Sequence, residues 1–241
     1  MINNDKFSQL RRNFIKKSAA GIALAPLALL SSSKVSEKKK NLAHIVIVGG
    51  GFGGATVAKY LRKYDKNIKI TLIEPNKIYA TMPKGNCYIA NIIEMKRLLQ
   101  SYAVLQNKYG IEIVTDEVKK VDSNLKTLIT KSGVTVNYDK LVLSIGINFN
   151  YDSLEGYSNK DINTVPHAWQ TKQQLEVLYA QIQSIRDGGV FTIVPPAYPY
   201  RCPPGPYERA SLVAEYFKKH KPKSKIIILD QKDDFCKQPL F

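Results

Sequence analysis

The chain has few cysteines, and they are placed badly for a metal. Cys87, Cys202 and Cys236 form neither C-x-x-C nor C-x-x-C-H, so the chain offers no zinc site and no attached haem of its own. A long apolar run is also missing. The stretch over residues 19–30 holds about a dozen residues, too short to span a bilayer comfortably, and no transmembrane span is expected in the mature chain. Acids are scarce, 20 against 36 basic residues, for a formal net charge of +16. Lys6, Arg11, Arg12, Lys16 and Lys17, set against Asp5, put +4 of this in residues 1–33 and leave +12 for the remainder. Such an excess suits nucleic acid or a membrane surface. However, the basic residues are scattered apart from Lys38-Lys39-Lys40 and residues 218–225, and no nucleic-acid-binding motif accompanies them, so nucleic acid is not an expected partner. The charge reads as solubility plus a docking face. With 44% hydrophobic and 23% charged residues over 241 positions, the chain is globular and holds one large domain or two modest ones.

What is present begins with an address. Leu10-Arg11-Arg12-Asn13-Phe14-Ile15-Lys16 is a twin-arginine pattern ahead of the short apolar run, the signature of export across the bacterial inner membrane to the periplasm. No clean A-x-A cleavage site follows, which leaves an uncleaved anchor as the alternative. Residues 1–33 therefore read as a signal and 34–42 as a polar linker.

The chain is organised around residues 44–74. Ile45-Val46-Ile47-Val48 is β-branched and apolar on both faces, as in a parallel strand buried on both sides. Gly49-Gly50-Gly51-Phe52-Gly53-Gly54 follows, with G-x-G-x-x-G at Gly49, Gly51 and Gly54. Ala55, Ala58, Tyr60 and Leu61 then fall at helical spacing, and a second strand over 68–73 ends on Glu74. Gly49 permits the tight turn, Gly51 lets a pyrophosphate approach the backbone, and Gly54 lets helix and sheet pack closely. Unpaired N–H groups at the helix start bind phosphate. An acid at the tip of the second strand accepts from ribose hydroxyls, which favours FAD or NAD over NADP. The competing reading is a glycine-rich loop with no nucleotide.

Beyond Glu74, residues 79–88 read as a loop at the carboxyl end of the sheet and 92–109 as a helix. Ile111-Glu112-Ile113-Val114 is a third strand, 119–138 an inserted hairpin, and 141–146 a buried strand ending on Gly146. Leu175, Leu178, Ile182 and Ile185 place one apolar face on a helix over 170–185. A second βα unit follows: a strand over 190–194, a helix over 207–220, and a strand over 226–229 ending on Asp230. Between its strand and helix, residues 195–206 hold six prolines where a phosphate loop would need glycines. Proline has no N–H and a fixed φ, so a second nucleotide cradle is not expected, and Cys202 stands in its place. The expected class is α/β: a Rossmann-type doubly wound parallel sheet over 43–165 with an inserted β hairpin, then a second Rossmann-like domain over 166–241. That second unit, with one helix and two strands, does not close its sheet and reads as truncated.

Residues 46–59, Ile73-Glu74-Pro75-Asn76, residues 151–157, Pro166-His167-Ala168-Trp169 and above all Arg201-Cys202-Pro203-Pro204-Gly205-Pro206-Tyr207-Glu208-Arg209-Ala210-Ser211 resemble the flavoprotein subunit of flavocytochrome c sulfide dehydrogenase. The wider group is the two-dinucleotide flavoprotein disulfide reductases, which includes sulfide:quinone oxidoreductases. The resemblance implies FAD on the first unit, contacted by Gly49, Gly51, Gly53, Gly54, Glu74, Pro75, Val118 and Gly146. It implies sulfide as substrate, Cys202 as a redox-active cysteine paired with another far downstream, and electron transfer to a c-type cytochrome subunit that carries the haem. Sulfide attack on a disulfide sulfur is thiol–disulfide exchange and yields a persulfide. Arg201 beside Cys202 leads us to expect a thiolate there.

Two departures matter. The downstream partner cysteine is not in this chain, and Cys236 reads as an incidental thiol. The family's flavin-attaching cysteine follows a threonine directly, whereas here Thr81 precedes Met82 and the C-Y-x-x-N setting recurs at Cys87. Either Cys87 bonds the flavin or the covalent link is lost. His167 and Trp169 read equally as packing at a domain junction, His44 and His220 as surface or strand-edge residues, and Tyr198 and Tyr200 as shaping the proline loop. The expected activity is FAD-dependent sulfide dehydrogenation. The alternatives are a sulfide:quinone oxidoreductase-like flavoprotein and an inactive FAD-binding fragment.

Overall fold

A computed structural model of the chain describes residues 42–240. The twin-arginine stretch, the apolar run and the linker up to residue 41 lie outside the described residues. Among the described residues no helix is long and apolar enough to cross a membrane.

β1 (His44–Val48), β2 (Lys69–Ile73), β5 (Glu112–Val114) and β9 (Lys140–Leu143) form one parallel sheet in the order β5-β2-β1-β9. Its central strands are buried on both faces, which is why residues 45–48 read as an unbroken apolar run and β2 is interrupted inside only by Thr71, whose hydroxyl donates to Glu112. On one face Ile47, Ile70 and Leu72 pack with Ala58, Tyr102 and Ile111, beneath α1 (Phe52–Tyr64) and α3 (Ala103–Asn107). On the other, Val46, Val48 and Ile73 pack with Leu128 and Tyr138. Those last two belong to the insertion, which is a three-stranded antiparallel sheet of β6 (Val118–Asp122), β7 (Thr127–Thr130) and β8 (Thr135–Asn137), one strand more than the expected hairpin.

Residues 92–109, expected as one helix, are broken. A 3-10 turn at Met95–Arg97 leads into β4 (Leu99–Ser101), which pairs antiparallel with β3 (Ile78–Ala80), and only then does α3 begin. The apolar residues fit helical spacing, but they serve different partners. Leu98 packs into a core with Met82 and Ile89, whereas Tyr102 packs beneath α1.

That further core joins α2 (Gly85–Ile89), α4 (Lys172–Ser184) and α5 (Gly205–His220) through Ile89, Leu175, Leu178, Ile182, Val213 and Phe217. The Thr171 hydroxyl caps α4, accepting from the Gln174 N–H at 3.2 Å. At the other end Lys221 Nζ donates to the carbonyls of Ile182 and Gln183, both at 2.7 Å, which satisfies groups the helix leaves open. β10 (Val190–Ile193) and β11 (Lys225–Ile228) pair in parallel, as the second βα unit requires. α5 starts two residues ahead of the expected Tyr207, with Pro206 in its first turn, where the missing N–H costs nothing.

Gly54 locks α1 to β1. A Cβ there would lie 1.8 Å from the Gly49 carbonyl oxygen and 3.3 Å from Ile47 Cγ2. Backbone cannot yield as a flexible side chain would, so Gly54→Ala should cost about 2 kcal/mol or more of stability, measured by urea unfolding. An unchanged midpoint and slope would show that the turn tolerates a methyl.

Candidate functional site

The first site is the turn between β1 and α1. Gly49 has φ +97° and its N–H donates to the Ile73 carbonyl at 2.9 Å. A side chain there would meet the Ser144 carbonyl oxygen at 2.3 Å. Only glycine meets both demands. A Cβ at Gly53 would sit 2.6 Å from Ser144 Oγ, whereas one at Gly51 would find nothing nearer than Tyr79, at 3.6 Å. The open side of the turn is therefore at Gly51, the N-cap of α1. No side chain caps that end and no acid lies in its first turn. This combination of an approachable backbone and free amide donors at a positive helix end suits a dinucleotide pyrophosphate.

Glu74, almost fully buried at the end of β2, is tied to the turn. Its Oε2 accepts from the Gly50 N–H at 2.8 Å, and its Oε1 accepts from the Asn76 backbone N–H at 3.0 Å and from Asn76 Nδ2 at 2.8 Å. A carboxylate offers about four lone-pair positions, so acceptor capacity remains for ribose hydroxyls. Pro75 follows at the strand tip and lets Asn76 fold back. Tyr102, missed in the sequence, donates its hydroxyl to the Gly50 carbonyl at 3.0 Å. Burial pushes its phenol up, with the Glu74 charge and Tyr79 adding to the effect. Gly146 has φ +75°, two residues beyond Ser144 on the same rim. Val118 is placed differently, at the head of β6 and packed against the core of Val46, Val48 and Ile73.

The second site is the turn into α5. Cys202 has φ +57°, and its carbonyl accepts from the Gly205 N–H at 2.8 Å. A non-glycine residue held in the left-handed region marks a constrained turn. A methyl at Gly205 would lie 3.0 Å from Cys202 Sγ and 2.5 Å from Trp169 Cη2, so the sulfur, the indole and this backbone meet at one point. The residue is exposed, but the partial burial of its sulfur pushes the thiol up, with the Glu208 carboxylate acting in the same direction. The Gly205 N–H, Arg201 and Arg209 oppose this and do not prevail. The thiolate expected from Arg201 is thus corrected to a thiol, because desolvation and a carboxylate outweigh an exposed cation.

Asn86, next to Cys87 on α2, ties that helix to α5. Its Nδ2 donates to the Gly205 carbonyl at 3.1 Å and to Glu208 Oε2 at 2.6 Å, and its Oδ1 accepts from Arg209 Nε at 3.0 Å. Arg209 lies over the Trp169 ring, 4.3 Å from its centroid, and Nη1 donates to the His167 carbonyl at 3.0 Å. Asn86, Glu208, Arg209 and Trp169 form a junction that no periodicity reveals, since each partner lies far off in sequence. His167 and Trp169 do pack there. The structure thus brings half-buried Cys87 onto the helix docked against Cys202's turn. Cys236 is elsewhere, its N–H donating to the Tyr198 hydroxyl at 3.1 Å, and all three thiols are free. Tyr198 and Tyr200 stack at 5.2 Å and shape the proline loop, with the Tyr200 hydroxyl donating to the Pro203 carbonyl at 2.9 Å. His44 stands at the start of β1, and its ring lies 2.8 Å from the Thr71 hydroxyl.

The profile of the pyridine nucleotide-disulphide oxidoreductase family matches residues 43–181, and that of the central region of the sulfide dehydrogenase (flavocytochrome c) flavoprotein chain matches residues 175–241. The chain is 30% identical to a sulfide-quinone reductase of Aquifex aeolicus over 57% of its own length and 32% of the relative. It is 57% identical to a sulfide dehydrogenase (flavocytochrome c) flavoprotein chain of Chlorobaculum thiosulfatiphilum over 42 residues, 17% of this chain and 88% of that sequence. The crystal structure of the sulfide:quinone oxidoreductase from Aquifex aeolicus superposes with a TM-score of 0.61 at 28% identity, over 78% of this chain and 43% of that one. The chain spans about a third of the length of the Aquifex relative it matches.

His167 gives a pH signature. Burial, then the Arg209 and Arg201 charges, lower its imidazole from the ordinary 6.5 to about 4. The unfolded chain therefore protonates first as pH falls below 6.5, and folding stability drops between there and about pH 4. His167→Gln should flatten that segment of a stability–pH curve taken by urea unfolding. An unchanged slope would mean that the imidazole titrates alike in the folded and unfolded chain.

Proposed function

The chain belongs to the pyridine nucleotide-disulphide oxidoreductase family, and on that footing we propose that it is the FAD-binding and thiol-bearing part of a flavoprotein that oxidises sulfide. The observation that carries this reading is the contrast between the two βα turns. The first is a glycine turn open at Gly51 with an uncapped helix behind it, and the second presents a cysteine among prolines. FAD, when bound, supplies the acceptor for the electron pair that sulfide gives up. Gly51 and the start of α1 hold its pyrophosphate, and Glu74 takes a ribose. Cys202 receives the sulfur. With its sulfur in a disulfide, hydrosulfide attack forms one S–S bond and breaks another, leaving a persulfide and a thiolate. The proline loop leaves no place for a nicotinamide phosphate, so electrons enter from sulfide rather than NADH.

A c-type cytochrome subunit, bearing the haem, is the acceptor on this reading, supported by the match of residues 175–241 to the flavocytochrome family. Cys87 is the residue for covalent flavin attachment, supported by its C-Y-x-x-N setting. The twin-arginine stretch supports a periplasmic site of action. The likeness to a sulfide-quinone reductase supports a second reading, in which the acceptor is a quinone.

Cys202→Ser in the flavin-loaded protein should lower sulfide-dependent bleaching of the flavin by about 10³-fold or more while flavin stays bound. Wild-type bleaching in that variant would remove Cys202 from the chemistry, and rapid bleaching by NADH would refute the blocked second site. Acid precipitation should leave flavin on the wild type and release it from Cys87→Ser. Quinone reduction with cytochrome c left inert would favour the second reading.

A further inference from the structure

Arg209 is buried at the start of α5, and two of its three nitrogens are spoken for. Nε faces Asn86 and Nη1 faces the His167 carbonyl. Nη2 is fully buried and has no hydrogen-bond partner among the described residues. A guanidinium N–H shut away from water without an acceptor is costly, and such groups mark a place where an acceptor arrives. The guanidinium carbon lies over the Trp169 ring, 4.3 Å from its centroid. The Cζ2–Cη2 edge of that indole and Cys202 Sγ converge on Gly205. The orphan donor's guanidinium and the sulfur therefore both border Trp169 at the start of α5, and the Arg209 charge acts on the Cys202 sulfur.

We propose that this junction holds one singly charged sulfur anion, bound beside Cys202 or carried by its own sulfur, and that Arg209 Nη2 is the donor that receives it. Around a neutral thiol the donor is left over, and an anionic sulfur uses it. The other groups facing Cys202 are accounted for. Arg201 adds a positive charge from solvent, and His167 stays neutral down to about pH 4. Glu208 opposes an anion, but its Oε2 is held by Asn86 at 2.6 Å. Asn86, the remaining neighbour from α2, is uncharged. A small monoanion fits this balance, whereas a dianion would add a second charge facing Glu208. The inference rests on Cys202 as the reacting thiol and names the residue that stabilises its charged states.

The test uses two alkylating probes on the whole chain, with each cysteine followed by peptide mass spectrometry. Anionic iodoacetate and neutral iodoacetamide are compared at Cys202 and at exposed Cys236. The iodoacetate-to-iodoacetamide rate ratio should be about tenfold higher at Cys202, and thiocyanate should suppress it. Arg209→Gln should bring the ratio down to that of Cys236 and move the pH midpoint of iodoacetamide labelling upward, while Arg209→Lys keeps part of the preference. Equal ratios at the two cysteines of the wild type would overturn the proposal, as would an unchanged ratio in Arg209→Gln with a native circular dichroism spectrum. If Arg209→Gln does not fold, the wild-type ratio and its response to thiocyanate decide. Sulfide turnover is not the readout. A chain that prefers iodoacetate but never oxidises sulfide keeps this anion site and loses the functional reading.

Discussion

The approach of α1 to the end of β1 is the constraint on which the rest depends. At Gly54 the helix comes so close that a single methyl would overlap the Gly49 carbonyl, and at Gly49 the turn bends through a positive φ against the Ser144 carbonyl. Because these positions carry no side chain, the helix start points its free amides outward at the carboxyl edge of the sheet. Because the turn is that tight, the Gly50 N–H comes within reach of Glu74 on the neighbouring strand and the Gly50 carbonyl within reach of Tyr102. One steric permission thus fixes a carboxylate, a phenol and a helix dipole around one gap. Neither the carboxylate nor the phenol is costly to hold there, since each has a hydrogen-bond partner.

The second βα unit solves the same topological problem with opposite chemistry. Proline is restricted before folding begins, so the loop over 195–206 is stiffened in the unfolded chain as well as the folded one. It cannot offer a row of N–H donors. In exchange it holds Tyr198 and Tyr200 stacked and sets Cys202 at the mouth of α5 in a conformation a cysteine seldom adopts. A donor does exist there, but it comes from Arg209, inside the helix, and not from the loop backbone. The two proposed sites differ in kind: the first turn offers backbone donors to a charge, and the second offers a side chain. That difference suits a site whose occupant changes its charge.

Much of this was legible in the amino-acid order, for a physical reason. Strands buried on both sides are mostly apolar, so β1 and β2 stand out, and G-x-G-x-x-G followed by a strand ending in an acid is constrained by sterics at nearly every position. The match of the helix over 172–184 to its apolar spacing is of the same kind. Where the reading failed, neighbours remote in sequence decided the outcome. Residues 92–109 have helical spacing, yet β4 pairs with β3, twenty residues earlier, and Leu98 and Tyr102 go to separate cores. The insertion gained a strand because Thr135–Asn137 finds an edge on β7. Cys202 looked like a thiolate because Arg201 is adjacent in the chain, whereas Glu208 and the partial burial of the sulfur are visible only in space.

Burial of the sulfur comes first in keeping that thiol neutral, and the charge stored in the junction adds to it. Asn86 bridges Glu208 and Arg209 through opposite ends of one amide, so carboxylate and guanidinium are held close without meeting in an ion pair. A direct pair would cancel both fields and use up Nη2. Kept apart, the carboxylate adds to burial in pushing the resting thiol up, while the guanidinium keeps an unpaired donor. Replacing Asn86 by a residue with only one of its two functions would collapse this arrangement in one direction or the other, and Asn86 also fixes α2, and Cys87 with it, against α5. The positions of both thiols that matter to the proposed chemistry therefore depend on an uncharged amide.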